Sequence, residues 1–313
     1  MAYYMDSDEI VASIKRRISI PENQSTFTYD EILAVANEEM LISVVPSILK
    51  LHEDFFLFDS TQDLEASVSA YAIPYRAIGQ RLYDVQYLDE NDNYQEMTRI
   101  SKGDRPDYQG AGDASVYTFY IDNNNIVLIP SVGTTPTGSL VMTYYLRPSR
   151  LVNTNRLATI TAINTSTGAI TCSGGIPTHF TTSLTYDLCM VNSPHRPLAI
   201  DLTASAVSTV TDIITFTAAD LPDTLAVGDH VIVATECCIP QIPSDLHVAL
   251  VQRACEVITE AQGDGEGLKN NKIRNAQMDN ATGTMLDSRI DSSPRKIVNS
   301  KGFLGRKGLK KNY

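Results

Sequence analysis

The chain has no tryptophan, five histidines, five cysteines and no apolar run of 18 or more residues. Each shortage narrows the reading. Without a long apolar run, no membrane span is expected. The opening MAYYMDSDEI has neither a basic nor an apolar segment of signal-peptide type, so the chain is expected to stay in the cytoplasm where it is made. Cys172, Cys189, Cys237, Cys238 and Cys255 are odd in number and form no regular framework, which points to reduced, buried thiols. His52, His179, His195, His230 and His247 are scattered, and none belongs to an HExxH or other local chelate.

Familiar catalytic and ligand motifs are also missing. Asp89-x-Asn91-x-Asn93 opens like a calcium loop, but Tyr94 and Ile100 stand where glycine and glutamate are needed, so it reads as a turn. The run Gly263-Asp264-Gly265-Glu266-Gly267 lacks phosphate-loop spacing and carries carboxylates that repel phosphate; it reads as a helix terminator. No GxSxG elbow is found. The aromatic run Phe55-Phe56-Leu57-Phe58 is flanked by Glu53, Asp54 and Asp59, so it suits a core or subunit interface better than a base-stacking platform. No metal, cofactor or catalytic residue is expected, and the chain is read as a non-enzyme.

What the chain does have is segregated charge. Its 313 residues carry a net charge of −12, yet the last 20 hold seven basic side chains and no acidic one. The remaining 18 basic and 37 acidic side chains lie in residues 1–293, a balance of −19. Such asymmetry marks an interaction segment on an acidic body.

Periodicity divides the chain into helical ends and a β middle. Ile10, Val11, Ile14 and Ile18 have helical spacing. Thr28 and Glu31 form a capping box, with Phe27 and Ile32 as a hydrophobic staple, opening a helix that Pro46 should kink or split. Ser244 can cap a helix whose stripe is Leu246, Leu250, Ala254, Val257, Ile258 and Ala261, and a polar helix follows from Leu268 to about Leu286. Between them lie short strands with Asp/Asn and Gly turns, including a hairpin about Asp122-Asn123-Asn124. The expected fold is α+β: a helical bundle formed by both chain ends, antiparallel β insertions that include a small barrel or sandwich, and an extended C-terminal arm. The expected units are 1–70 (helices), 71–152 (β-rich), 153–238 (small barrel or sandwich), 239–290 (helices) and 291–313 (basic arm).

Several stretches resemble predicted head-to-tail connector proteins of tailed phages. They are Ile14-Lys15-Arg16-Arg17 to Pro21, Thr26-Phe27-Thr28 into Ile32–Glu39, and Val45-Pro46. Tyr144-Tyr145-Leu146-Arg147-Pro148-Ser149-Arg150-Leu151-Val152, Ile242-Pro243-Ser244-Asp245-Leu246-His247 with the helix after it, and Ser293–Asn299 complete the likeness, which spans nearly the whole chain. The resemblance implies a structural virion protein in the neck. It would form a homo-oligomeric ring matching the twelvefold portal, joined to the portal, to the next tail or neck ring, and to genomic DNA that passes without sequence-specific binding. It further implies that the arm docks on the portal, with Ile297, Val298, Phe303 and Leu304 as apolar anchors and Arg295, Lys296, Arg306 and Lys307 pairing with carboxylates. A second reading is a tail-associated receptor- or glycan-binding module using the β insertion. An enzyme stands third, because wall-degrading activity needs paired carboxylates or a metal.

Overall fold

A computed structural model describes residues 4–20, 27–105, 117–192 and 195–286. The chain is mixed α+β, with four helices among the described residues: α1 (Ser7–Arg17), α2 (Tyr29–Leu51), α3 (His247–Gln262) and α4 (Gly265–Leu286). Both early helices start on complete capping boxes. Asp6 and Glu9 exchange side-chain and backbone hydrogen bonds at α1, and Thr28 and Glu31 do so at α2. Removing the α2 cap by Thr28→Ala is expected to lower stability by about 1 kcal/mol, read from chemical denaturation.

Pro46 leaves its mark on α2. The helix opens into a π turn over Met40–Val44, where the Val45 amide reaches Met40 O, five residues back. Proline has no amide to give Ile42 O and its ring crowds the preceding turn, so the ladder widens there instead of breaking. By length and composition α2 is apolar enough to cross a membrane. Its Ile32, Leu33, Ala36, Met40, Val44, Val45 and Ile48 are buried, and they share one core cluster with Ile10 and Ile14 of α1 and Leu250, Val251, Ala254, Cys255 and Ile258 of α3. On its other side Leu41 and Ile42 are exposed.

The start of α3 differs from the expectation. Ser244 lies in a 3-10 turn, Ser244–Leu246, and the α-helix begins at His247 with no side-chain cap bond. Of the expected stripe, Val257 is half-buried and Ala261 exposed, because the buried face turns toward Val251, Cys255 and Thr259. Gly263 ends α3 in the left-handed region at φ 73°. Gly265 and Gly267 then fall inside α4.

Strands β1 (Leu57–Asp63), β2 (Ala70–Ala72), β3 (Ala77–Leu88), β4 (Tyr94–Glu96), β5 (Thr98–Arg99), β6 (Thr118–Asp122), β7 (Asn125–Ile129) and β8 (Ser139–Leu146) build two four-stranded sheets. Their orders are β1-β8-β3-β4 and β2-β7-β6-β5. They share one core, with Val85, Tyr87, Leu140, Met142 and Tyr144 from the first and Tyr71, Phe119, Ile126 and Leu128 from the second. The expected hairpin joins β6 to β7, Asp122 opposite Asn125, with Asn123 at φ 53°. The Asp89 turn is present too, its Oδ1 accepting from the amides of Asn91 at 2.8 Å and Asn93 at 2.9 Å.

Not every pairing is antiparallel. β5 runs parallel to β6, and β9 (Arg150–Leu151) runs parallel to β17 (Glu236–Cys237). Each pair is separated by a long stretch of chain, which a parallel return requires.

The remaining strands are β10 (Leu157–Asn164), β11 (Ala169–Ser173), β12 (Thr185–Cys189), β13 (Pro197–Thr203), β14 (Ala206–Ser208), β15 (Ile213–Thr215) and β16 (His230–Val233). They form one sheet in the order β13-β12-β16-β10-β11-β15-β14. This corrects the expected barrel: among the described residues no ladder joins β13 to β14, so the sheet does not close. The reason is geometric. β13 and β14 are the two ends of the order, yet only Ala204 and Ser205 separate them in the chain. The sheet curls until its ends approach, but the end strands follow head to tail along one chain and do not lie side by side. The fold sets a barrel-like core inside, with Ile160, Ile170, Tyr186, Leu188, Ile214, Phe216 and Val231 buried.

Candidate functional site

The eight arm residues Arg295, Lys296, Ile297, Val298, Phe303, Leu304, Arg306 and Lys307 lie outside the described residues. Within them, the densest polar arrangement is a buried ion pair where the first β sandwich meets the curled sheet. Arg76 follows Pro74 and Tyr75 at the entry to β3 and is 3% exposed; Asp187 of β12 is fully buried. The guanidinium meets the carboxylate through two parallel bonds, Nη1 to Oδ1 and Nη2 to Oδ2, both 2.8 Å. Nη2 also donates to Ser149 Oγ at 3.0 Å. The carboxylate accepts in addition from the amides of Asp201 at 3.0 Å and Thr235 at 3.2 Å. Tyr75 Oη donates to Asp201 Oδ1 at 2.6 Å, and Ser149 N donates to Gln241 Oε1 at 2.8 Å.

Two opposed effects act on this pair. Burial pushes the Asp187 carboxyl above its ordinary value, while the Arg76 guanidinium and two backbone amides pull it down. Arg76 is itself raised: its desolvation is outweighed by Asp187 together with Asp201, whose Oδ1 lies 3.8 Å from Nη1. The net rise at Asp187 and the rise at Arg76 point to opposite states of the carboxyl. The geometry decides for the ionised pair, since guanidinium stays charged in proteins and both carboxylate oxygens face its donors. A pair so placed is a positioning device. It fixes segments from residues 74–76, 149, 187, 201 and 235 against one another.

Above the pair opens a groove of about 480 Å³ between α2 and the turn before β9. Met40 and Leu41 form one wall, with Tyr75, Arg147, Pro148 and Glu236 on the others. Leu41 and Tyr75 are exposed at its mouth, at 43% and 61%. Glu236 is held from behind by Arg156, at 2.8 Å, and Arg150, at 3.2 Å. The groove offers apolar contact and fixed charge, the chemistry of a protein interface.

A second surface is the outer face of the β1-β8-β3-β4 sheet. The register sets Asp59 and Asp84 on either side of Thr143, whose hydroxyl donates to Asp59 at 2.6 Å. Asp63 stands beside Ser139, which donates to it at 2.7 Å, and Glu96 lies opposite Gln86. The same face therefore presents four carboxylates on three strands, with Tyr94 exposed at its edge.

The other residues singled out in the sequence fall into place around these surfaces. Phe55 and Phe56 enter the helical core, while Leu57 and Phe58 open β1 and Phe58 meets Tyr144 edge to face. All five cysteines are free and buried. Among the described residues no three His, Cys, Asp or Glu side chains converge to hold a metal. The histidines are less scattered than their positions suggest. The rings of His195 and His247 lie 6.3 Å apart, and His230 is close enough to His195 to feel its charge. No sequence signal marks this cluster or the Arg76–Asp187 pair, because each joins residues far apart in the chain. No family model matches the chain, and a search of curated proteins finds no match.

Proposed function

We propose that the chain is a structural subunit of a tailed-phage neck, a head-to-tail connector that forms a ring beneath the portal and continues the DNA channel. The observation that carries this reading is the joining of the two chain ends. Helices from residues 7–51 and 247–262 share one apolar core, and the β layers are inserted between them. This core is, in the proposed arrangement, the hub to which the β layers and the C-terminal segment are attached. In the proposed arrangement the last 20 residues, with seven basic and no acidic side chains, leave the hub as an arm toward the portal. Ile297, Val298, Phe303 and Leu304 would anchor it and Arg295, Lys296, Arg306 and Lys307 would pair with portal carboxylates. An arm that orders only on docking meets its entropy cost at that step, so subunits attach to a finished portal ring.

Charge supports the same reading. The body is acidic, and four of its carboxylates share the outer face of one sheet. A lumen lined with such a face repels phosphate and lets DNA slide. The groove beside Leu41 and the exposed Ile42 supply apolar surface for a neighbouring subunit.

The test is electron microscopy of the chain mixed with portal, with and without residues 294–313. Rings on the portal that disappear with the arm are expected. If neither form makes rings, the neck reading fails, and glycan or receptor binding by the β insertion becomes the reading to examine.

A further inference from the structure

We infer that residues 4–6 form a strap latched by neutral histidine and released when the His195–His230–His247 cluster takes up protons. The latch is a single hydrogen bond of defined polarity. The Met5 amide donates to His247 Nδ1 at 3.0 Å. An imidazole nitrogen accepts only when it carries no proton, so the His247 proton resides on Nε2. Protonating Nδ1 sets N–H against N–H, and the bond is lost.

The surroundings make that proton costly to take up and disruptive once bound. His247 is fully buried and His195 is 1% exposed. Tyr4 covers His195, ring centroids 4.8 Å apart. Neither ring nitrogen of His195 nor Nε2 of His247 has a hydrogen-bond partner among the described residues. The carbonyls of Met190 and Val191 face His195 and favour its charged form, but neither makes a bond of normal geometry. His230, on β16, has Nδ1 3.4 Å from Thr159 Oγ1.

The groups facing the cluster come from each element around it. The strap brings Tyr4, and the turn before α3 brings Asp245; Asp6 beside the strap is held in the α1 cap, and the Arg196 guanidinium lies over Phe55. The loop before β16 brings Asp229, already accepting from the amides of Val191 at 3.0 Å and Ala226 at 2.9 Å. The carbonyls of Ile242 and Pro240, and after them Asp245, favour protonation of His247, and Asp229 that of His230, but burial outweighs them and lowers all three histidines, His247 to about 4. Repulsion between His195 and each of its neighbours adds to this.

A histidine depressed in the fold stays neutral there while the unfolded chain protonates at about 6.5. The latched state has its full stability above that pH and loses it relative to the released state as pH falls from about 6.5 toward about 4, where Nδ1 itself takes up the proton. Release uncovers Met5, which packs in the helical core at 6% exposure. It also loosens the start of α1, where Asp6 caps the helix and the Ser7 amide donates to Cys238 O at 2.8 Å.

The test uses hydrogen exchange of the full chain at pH 7 and pH 4.5, corrected for intrinsic rates. Protection at residues 4–7 is expected to fall at least about tenfold, while β10, β12 and β16 keep theirs. In His247→Asn, which places an acceptor near Nδ1 that does not titrate in this range, that fall is expected to shrink to less than about threefold. Equal loss in both proteins, or none in either, overturns the proposal. Should the variant not fold, NMR titration of the unmodified chain decides. The Met5 amide shift must follow a His247 midpoint below 6; a midpoint at 6.5 or above, or an amide that does not follow, overturns it. The outcome does not depend on the neck reading, which is tested on the portal.

Discussion

Arg76→Ala is expected to cost about 3–5 kcal/mol of stability, measured as a drop in the urea midpoint with little change in slope. The reason is what it leaves behind. Asp187 is fully buried, and without the guanidinium its charge is met only by the amides of Asp201 and Thr235. A lone buried carboxylate is far more costly than a buried pair. The double change Arg76→Met with Asp187→Asn removes the charge while keeping an acceptor for one amide. It is expected to be more stable than Arg76→Ala alone, although it alters two residues. A loss under about 1 kcal/mol for Arg76→Ala, or a double variant worse than the single one, would show that the pair does not hold the β layers together. Because the Arg147 amide donates to Arg76 O at 2.8 Å, the groove beside α2 should loosen with it.

The parts of this structure that local chemistry dictates could be read from the sequence. Thr28 and Glu31 cap α2, Pro46 perturbs it, Asn123 turns the β6–β7 hairpin and Gly263 stops α3, and each acts through bonds spanning a few residues. β1 escaped notice for a physical reason. Its inward residues are Phe58, Ser60 and Gln62 and its outward ones Asp59, Thr61 and Asp63, so it has no apolar alternation to detect. It is a strand because β8 pairs with it along its whole length. The site residues lay further out of reach. Arg76 and Asp187 are 111 positions apart, and Met5 and His247 are 242 apart. A buried arginine or histidine has no periodic signature, and its partner is fixed only once the sheets have packed. The arm residues rest on charge and resemblance, and they lie outside the described residues.

Leu250→Ala should separate the two roles played by the C-terminal helices. Leu250 is fully buried in the core that α1, α2 and α3 share, so its truncation is expected to cost about 2–5 kcal/mol. The α3–α4 contact is of another kind. Gln252 Nε2 donates to Asn271 Oδ1 at 3.0 Å, Asn271 Nδ2 donates to Thr259 Oγ1 at 3.0 Å, Asn275 bonds Glu256, and Arg253 pairs with Asp279 at 2.6 Å. Ile273, the one isoleucine of α4, is 52% exposed, and among the described residues of α4 it is Leu286, at its end, that packs against the helical core. Water can replace most of these polar bonds at small net cost, whereas it cannot replace the packing around Leu250. Native-state hydrogen exchange is therefore expected to show α4 opening before α3, with protection lower by at least about tenfold, or 1.4 kcal/mol. In Leu250→Ala the exchange of α1, α2 and α3 should rise together, since one core joins them. If α4 instead exchanges with α3 as a unit, the last helix belongs to the hub. If it opens alone, the segment leading to the basic arm can move without unfolding the body, as a docking arm requires.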